Sequence, residues 1–122
     1  MEVLCNSNVE SRQLLTSANS ASKRLSITRV AMLAGAVNPR HAHRSSEQVW
    51  ICLSGEATLL LAAGRSDVLR AGDVVRLAEG EIHGVENSGT VSLEYIAVTS
   101  PPIDFRSNYA QDWTSAIDRS KT

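Results

Sequence analysis

The sequence predicts an all-β protein, an antiparallel sandwich or barrel of short strands. Two patterns carry this expectation and an absence supports it. Apolar residues recur with a period near two in short runs, and clusters of turn-forming residues separate those runs every 8 to 12 residues or so. The 3.6-residue period of an amphipathic helix is almost missing.

Residues 1–23 are rich in serine and asparagine without a sustained period, so they read as an extended N-terminal arm with a short strand near Arg12–Leu15. From Arg24 the pattern changes: Leu25, Ile27, Ala31 and Leu33 alternate with Arg24, Ser26, Thr28 and Val30, as in a strand. Further β runs follow at Glu47–Leu53, Ala57–Ala62, Val74–Leu77 and Val91–Val98. Between them lie Ser54-Gly55, Ala63-Gly64-Arg65-Ser66-Asp67, Ala71-Gly72-Asp73, Glu79-Gly80 and Asn87-Ser88-Gly89, all suited to turns. Pro101-Pro102 closes the last strand, because proline has no N–H to give to a ladder. The expected division is an arm over 1–23, a barrel over 24–100 and a tail over 101–122, with a helical turn around Trp113–Ile117.

The run from Gln48 to Leu53 is apolar at both parities, so neither face of that strand suits water. Its outer face calls for a cover. In so short a chain a homodimer is the expected one, the alternative being the chain's own termini folding back.

With 122 residues there is room for one domain, and the net charge of -1, from 12 Lys+Arg against 13 Asp+Glu, offers no basic field for nucleic acid. The expected partner is a small molecule. Cys5 and Cys52 make no disulfide framework. The start MEVLCNSNVESRQLL has no basic leader followed by a long apolar run, and no stretch nears the roughly 20 apolar residues of a membrane span, so a soluble cytoplasmic protein is expected.

The chain has three histidines, His41, His43 and His83. Three neutral imidazoles aimed at one point are a common way to hold a first-row divalent metal. Their surroundings carry a resemblance: Gly35-(x5)-His41-x-His43-(x3)-Glu47-Gln48-(x6)-Gly55 and Gly72-(x5)-Ala78-x-Gly80-(x2)-His83-(x3)-Asn87 resemble the two motifs of the cupin superfamily. That resemblance implies a double-stranded β-helix, or jelly-roll, barrel with one divalent transition metal (Zn, Ni, Fe or Mn) near one mouth. Ala78 departs from the proline common at its position.

The fourth ligand is open between two neighbours. Counted from His43, the family's carboxylate position falls on Gln48, while Glu47 sits one residue earlier. Neighbouring side chains of a strand point to opposite faces, so regular geometry brings only one of them to the metal. The spacing to Gly55 favours Gln48; Glu47 would need a bulge. Four neutral ligands leave a divalent ion its full charge, which favours an anionic, oxygen-rich ligand and Lewis-acid chemistry such as cyclisation, isomerisation or ring opening. Cupins similar to this chain at the glutamine include polyketide cyclases and sugar-acid ring-opening enzymes. A quercetinase-like dioxygenase and a non-catalytic binding module are the alternatives.

Trp50 and Cys52 share the parity of Gln48 and are candidates for the pocket wall. Tyr95 and Glu94 follow the second motif, and whichever faces inward is a candidate proton donor or base, as is Glu47. Arg29 is a candidate clamp for a substrate carboxylate.

Overall fold

The computed structural model describes residues 1–106 and Tyr109, so the helical turn expected at 113–117 lies outside the described residues. Among the described residues ten strands follow one another: β1 (Val3–Cys5), β2 (Val9–Leu15), β3 (Ser26–Met32), β4 (Val37–His41), β5 (Glu47–Ser54), β6 (Glu56–Leu61), β7 (Ser66–Arg70), β8 (Val74–Leu77), β9 (His83–Glu86) and β10 (Leu93–Ser100). They form two antiparallel sheets, one in the order β1-β2-β3-β10-β5-β8 and one in the order β4-β9-β6-β7. This is the jelly roll that the sequence predicts.

β8 falls where its apolar run lies, and β10 stops at Ser100 just before Pro101-Pro102. Strands β1, β4, β7 and β9 have no period to announce them, since they are three to five residues long and three of them carry Pro39, Asp67 or Gly84. The N-terminal arm holds more structure than its composition implies: β2 spans Val9–Leu15 and pairs with β3 along most of its length. Its alternation is Val9, Ser11 and Gln13 inward, with Gln13 Nε2 donating to Ser11 Oγ at 2.9 Å.

Cross-strand register orders the inner face of the large sheet into four rows. Met32 lies opposite Leu93; Val30, Tyr95 and Cys52 form the next row; then come Thr28, Ala97, Trp50 and Val75; and last Ser26, Thr99, Gln48 and Leu77. The face becomes more polar along the barrel. In β3 the inward set is therefore Ser26, Thr28, Val30 and Met32, while Ile27 and Ala31 face outward. Ile27 and Ala31 thus serve the outside of the sheet, while Thr28 and Val30 border the cavity and Met32 joins the core.

The outer face carries the second apolar set that β5 announced. Ile27, Val98 and Val49 form one row, and Ile96, Ile51 and Val74 lie in the next. Val74 is 65% exposed and Leu53 41%, so this face is only partly covered by the described residues.

Between the sheets Met32, Leu69, Val85 and Leu93 are fully buried. Each such side chain contributes about 1.5–3 kcal/mol of apolar burial. Gly55 closes the β5–β6 corner at φ +86°, where an added Cβ would stand 2.8 Å from the Ser92 carbonyl oxygen. Both the left-handed backbone and the close approach require glycine.

Candidate metal centre

The three imidazoles reach one point from two strands and a loop. His41 ends β4 and lies opposite His83 of β9, but Asn38 of β4 already lies opposite Val85, so β4 carries one extra residue between them. That bulge contains Pro39, which has no N–H to place in the ladder. Gly84 permits it, because a Cβ there would sit 2.6 Å from the Asn38 carbonyl oxygen. Proline in one strand and glycine in the other thus turn His41 toward His83. His43 follows in the loop, whose backbone is held where Gly80 N–H donates to the His43 carbonyl at 2.8 Å.

The ligand-capable nitrogens of His41, His43 and His83 all lie within 4.8 Å of one another. His41 Nδ1 lies 2.7 Å from the Pro39 carbonyl oxygen, and His83 Nδ1 lies 2.9 Å from that of Glu81. A carbonyl only accepts, so each Nδ1 carries the hydrogen and leaves a lone pair on Nε2. His43 Nε2 and His83 Nε2 are buried without a hydrogen-bond partner among the described residues. Buried polar atoms are rarely left so, and a divalent ion would satisfy both.

Burial also keeps these rings neutral. It pushes His83 down to about 3 and His43 down to about 4, with the charge of His41 adding to both shifts. The protonated imidazolium is disfavoured in this environment and the neutral ring, with a lone pair to give, is favoured. The donor set fits a first-row divalent metal.

Beside His41 and His43 is a cavity of about 40 Å³, lined among the described residues by Ser11, Thr28, Asn38, Gln48, Trp50 and Tyr95 and by Phe105 and Tyr109 of the tail. Gln48 is 5% exposed, and its Nε2 donates to Thr99 Oγ1 at 3.0 Å while its Oε1 accepts from Trp50 Nε1 at 3.2 Å. β5 is regular against β8 from Gln48 to Ile51. Glu47 therefore faces the other way, where its carboxylate takes hydrogen bonds from Arg76 at 2.8 and 3.0 Å. No bulge brings it back, so Glu47 stands apart from the centre both as a ligand and as a base.

Tyr95 is the inward member of its pair. Glu94 faces out and binds Arg29 at 3.0 Å, so neither the candidate base nor the candidate carboxylate clamp reaches the cavity. The cause is strand parity, which puts both on the outer face of the large sheet. Burial raises the Tyr95 pKa well above the usual phenol range, although a hydrogen bond with Asn38 works against it. Burial likewise raises Tyr109, to about 12. Both phenols stay protonated and can donate. Cys52 belongs to the apolar core rather than the cavity wall, with Sγ 3.8 Å from the Ser54 carbonyl oxygen and its pKa raised by burial.

Some of the lining has no sequence signal. Phe105 stands edge-on to His43 at 5.9 Å between ring centroids, and Tyr109 packs against the core, yet both lie in a tail without periodicity. Thr28 lies on a strand with apolar residues on both faces, so its parity does not announce it. Ala78 turns out to use the N–H that a proline would lack, donating to Glu81 Oε1 at 2.8 Å.

The Cupin domain profile matches residues 28–99, and the chain belongs to the cupin family. A protein of Thermotoga maritima named oxalate-binding protein is 30% identical over 90 residues, which cover 74% of each chain. Among solved structures, KdgF from Halomonas sp. shares 19% identity at a TM-score of 0.73 over 85% of this chain and 89% of that one. The polyketide cyclase RemF from Streptomyces resistomycificus shares 21% at 0.71, over 79% and 67% of the respective chains. A Thermotoga maritima cupin described as a "predicted oxalate decarboxylase" shares 27% at 0.71, over 83% and 91%. At these identities KdgF and RemF attest the fold alone.

Proposed function

We propose that this cupin holds one divalent metal through His41, His43, His83 and Gln48 and uses it on a small, oxygen-rich anion. The carrying observation is the pair of buried, partnerless Nε2 atoms on His43 and His83 beside rings fixed through Nδ1. A divalent ion held by four neutral donors supplies strong Lewis acidity. The chain's own contribution is a pair of buried phenols, Tyr95 and Tyr109, which stay protonated and can hydrogen-bond, or pass a proton to, an oxygen of the ligand. This suits cyclisation, isomerisation or ring opening without a change of oxidation state.

A second reading, a non-catalytic binding module, has its own support. Among the described residues no carboxylate, lysine or arginine lines the cavity, so a general base stronger than imidazole is missing there. A volume near 40 Å³ also leaves room for only a very small ligand. The relative named for oxalate binding makes oxalate the first probe.

The test is calorimetric titration of oxalate into zinc-loaded protein, followed by product analysis with and without oxygen. Uptake that requires zinc supports the centre, and turnover without oxygen supports the non-oxidative reading over a dioxygenase. Uptake without turnover selects the binding module. Turnover that appears only when iron or copper replaces zinc, and that stops when oxygen is removed, would promote the dioxygenase.

We also propose that two copies pack through the outer face formed by Val49, Ile51, Leu53, Val74 and Ile96. The partly exposed apolar rows of that face support it. Light scattering at micromolar concentration should give twice the chain mass, and a monomer mass would leave the covering to the chain's own tail.

A further inference from the structure

We infer that Trp50 and Thr99 are positioning residues that make the oxygen of the Gln48 amide, rather than its nitrogen, the atom available to an ion held by the imidazoles. The inference rests on the metal reading above and adds what a glutamine, unlike a carboxylate, demands of its neighbours.

A carboxylate presents two equivalent oxygens. An amide of the same shape presents one oxygen with two lone pairs and one nitrogen with two hydrogens and no available pair. Turning the group by half a revolution would replace a ligand with two hydrogens pointing at a cation. A glutamine in this place works only if something breaks that near-symmetry.

Trp50 does so because an indole N–H can only donate. Its Nε1 lies 3.2 Å from Gln48 Oε1, and at the other end Gln48 Nε2 donates to Thr99 Oγ1 at 3.0 Å. A hydroxyl can give or accept, so Thr99 alone would tolerate either orientation. Trp50 decides which end is oxygen, and Thr99 then satisfies the nitrogen. The reversed amide would set its N–H₂ against the indole N–H. With Trp50 at 2%, Gln48 at 5% and Thr99 at 0% exposure, bulk solvent has little access to relieve that clash.

The ring that makes the decision is itself held. Trp50 packs on Tyr95 with centroids 4.8 Å apart at 33° and meets His83 edge-on at 5.5 Å and 88°. The oxygen end of the amide is thus bound to the ring that abuts His83, while the nitrogen end is turned to β10. One lone pair of Oε1 receives the indole and the second stays available.

The test titrates Co²⁺ into metal-free protein, following its visible absorption, and measures Zn²⁺ affinity by competition. Wild type is compared with Gln48→Ala, Trp50→Phe, Thr99→Val and Thr99→Ser, and with Gln48→Glu alone and combined with Trp50→Phe or Thr99→Val. Trp50→Phe and Thr99→Val should weaken Zn²⁺ about tenfold or more and move the Co²⁺ bands toward those of Gln48→Ala, while Thr99→Ser, which keeps the hydroxyl, should stay near wild type. In the Gln48→Glu background the same substitutions should lose most of their effect, because a carboxylate has no wrong end. An effect of equal size in both backgrounds would show mere structural damage and overturn the inference. So would wild-type affinity in Trp50→Phe and Thr99→Val. If Gln48→Ala binds as wild type does, the inference falls while the three-histidine centre stands; if wild type takes up neither ion, both fall.

Discussion

At one end of the inner face of the large sheet, Met32 lies opposite Leu93 and both are completely buried. At the other end, three rows further along the same strands, Ser26, Thr99 and Gln48 lie side by side and are buried too. The backbone is the same ladder in both places. What differs is the number of demands each buried side chain makes. Met32 and Leu93 need only contact, so their burial is a nearly free gain in stability. Gln48 needs partners for both ends of an amide, and His43 and His83 keep a buried nitrogen without one. Such atoms cost stability and persist where they are used.

The largest expected effect crosses the two ends. A His41→Ala, His83→Ala double variant should drop from about one bound metal per chain to almost none by elemental analysis. Leu93→Ala should do the opposite, losing about 2–5 kcal/mol in urea unfolding while keeping the wild-type metal content of its folded fraction. Metal content that falls equally in both would mean that the ends are not separable.

Much of this division is legible in the sequence. The His41-x-His43 and His83 spacing marks the polar end, and the distance from Gln48 to Gly55 fixes the inward parity of β5. That parity holds because β5 is regular there, its ladder shift with β10 falling beyond Cys52 near Ser54. Other features stay hidden for physical reasons. β4 and β9 are too short to show a period, and the bulge at Pro39 depends on Gly84, 45 positions further along the chain. In β3 both faces carry apolar residues, Ile27 and Ala31 outside against Val30 and Met32 inside, so parity alone does not say which face is inward. Phe105 and Tyr109 enter the site through tertiary packing, which leaves no local pattern.

A smaller effect should appear with acid. In metal-free protein His43 and His83 titrate near 4 and 3, below the usual 6.5 of an unfolded chain. Between those values the unfolded chain binds more protons than the folded one, so stability rises with pH and is lost as pH falls from about 6.5 toward 4. The melting temperature of chelator-treated protein should decline across that window. A His43→Gln, His83→Gln double variant should flatten the decline, because glutamine takes up no proton. Leu93→Ala should lower the whole curve without changing its slope there. An unchanged acid limb in the double glutamine variant would assign the loss to other groups.

The smallest expected effect tests parity at a single step of the chain. Glu47 and Gln48 are neighbours, but one is paired with Arg76 on the outside, its side chain 42% exposed, and the other is shut inside the barrel. An exposed ion pair contributes at most about 1 kcal/mol, and salt screens it. Glu47→Ala should therefore move the urea midpoint only slightly, less still in high salt, and should leave metal retention unchanged. Gln48→Ala removes a buried group that satisfies Trp50 Nε1 and is expected to complete the ligand set, so its metal should be lost to a chelator sooner. Retention that falls in Glu47→Ala and survives in Gln48→Ala would put the register of β5 wrong by one residue. With it would go the distinction between a polar interior built for an ion and an outer face built for packing.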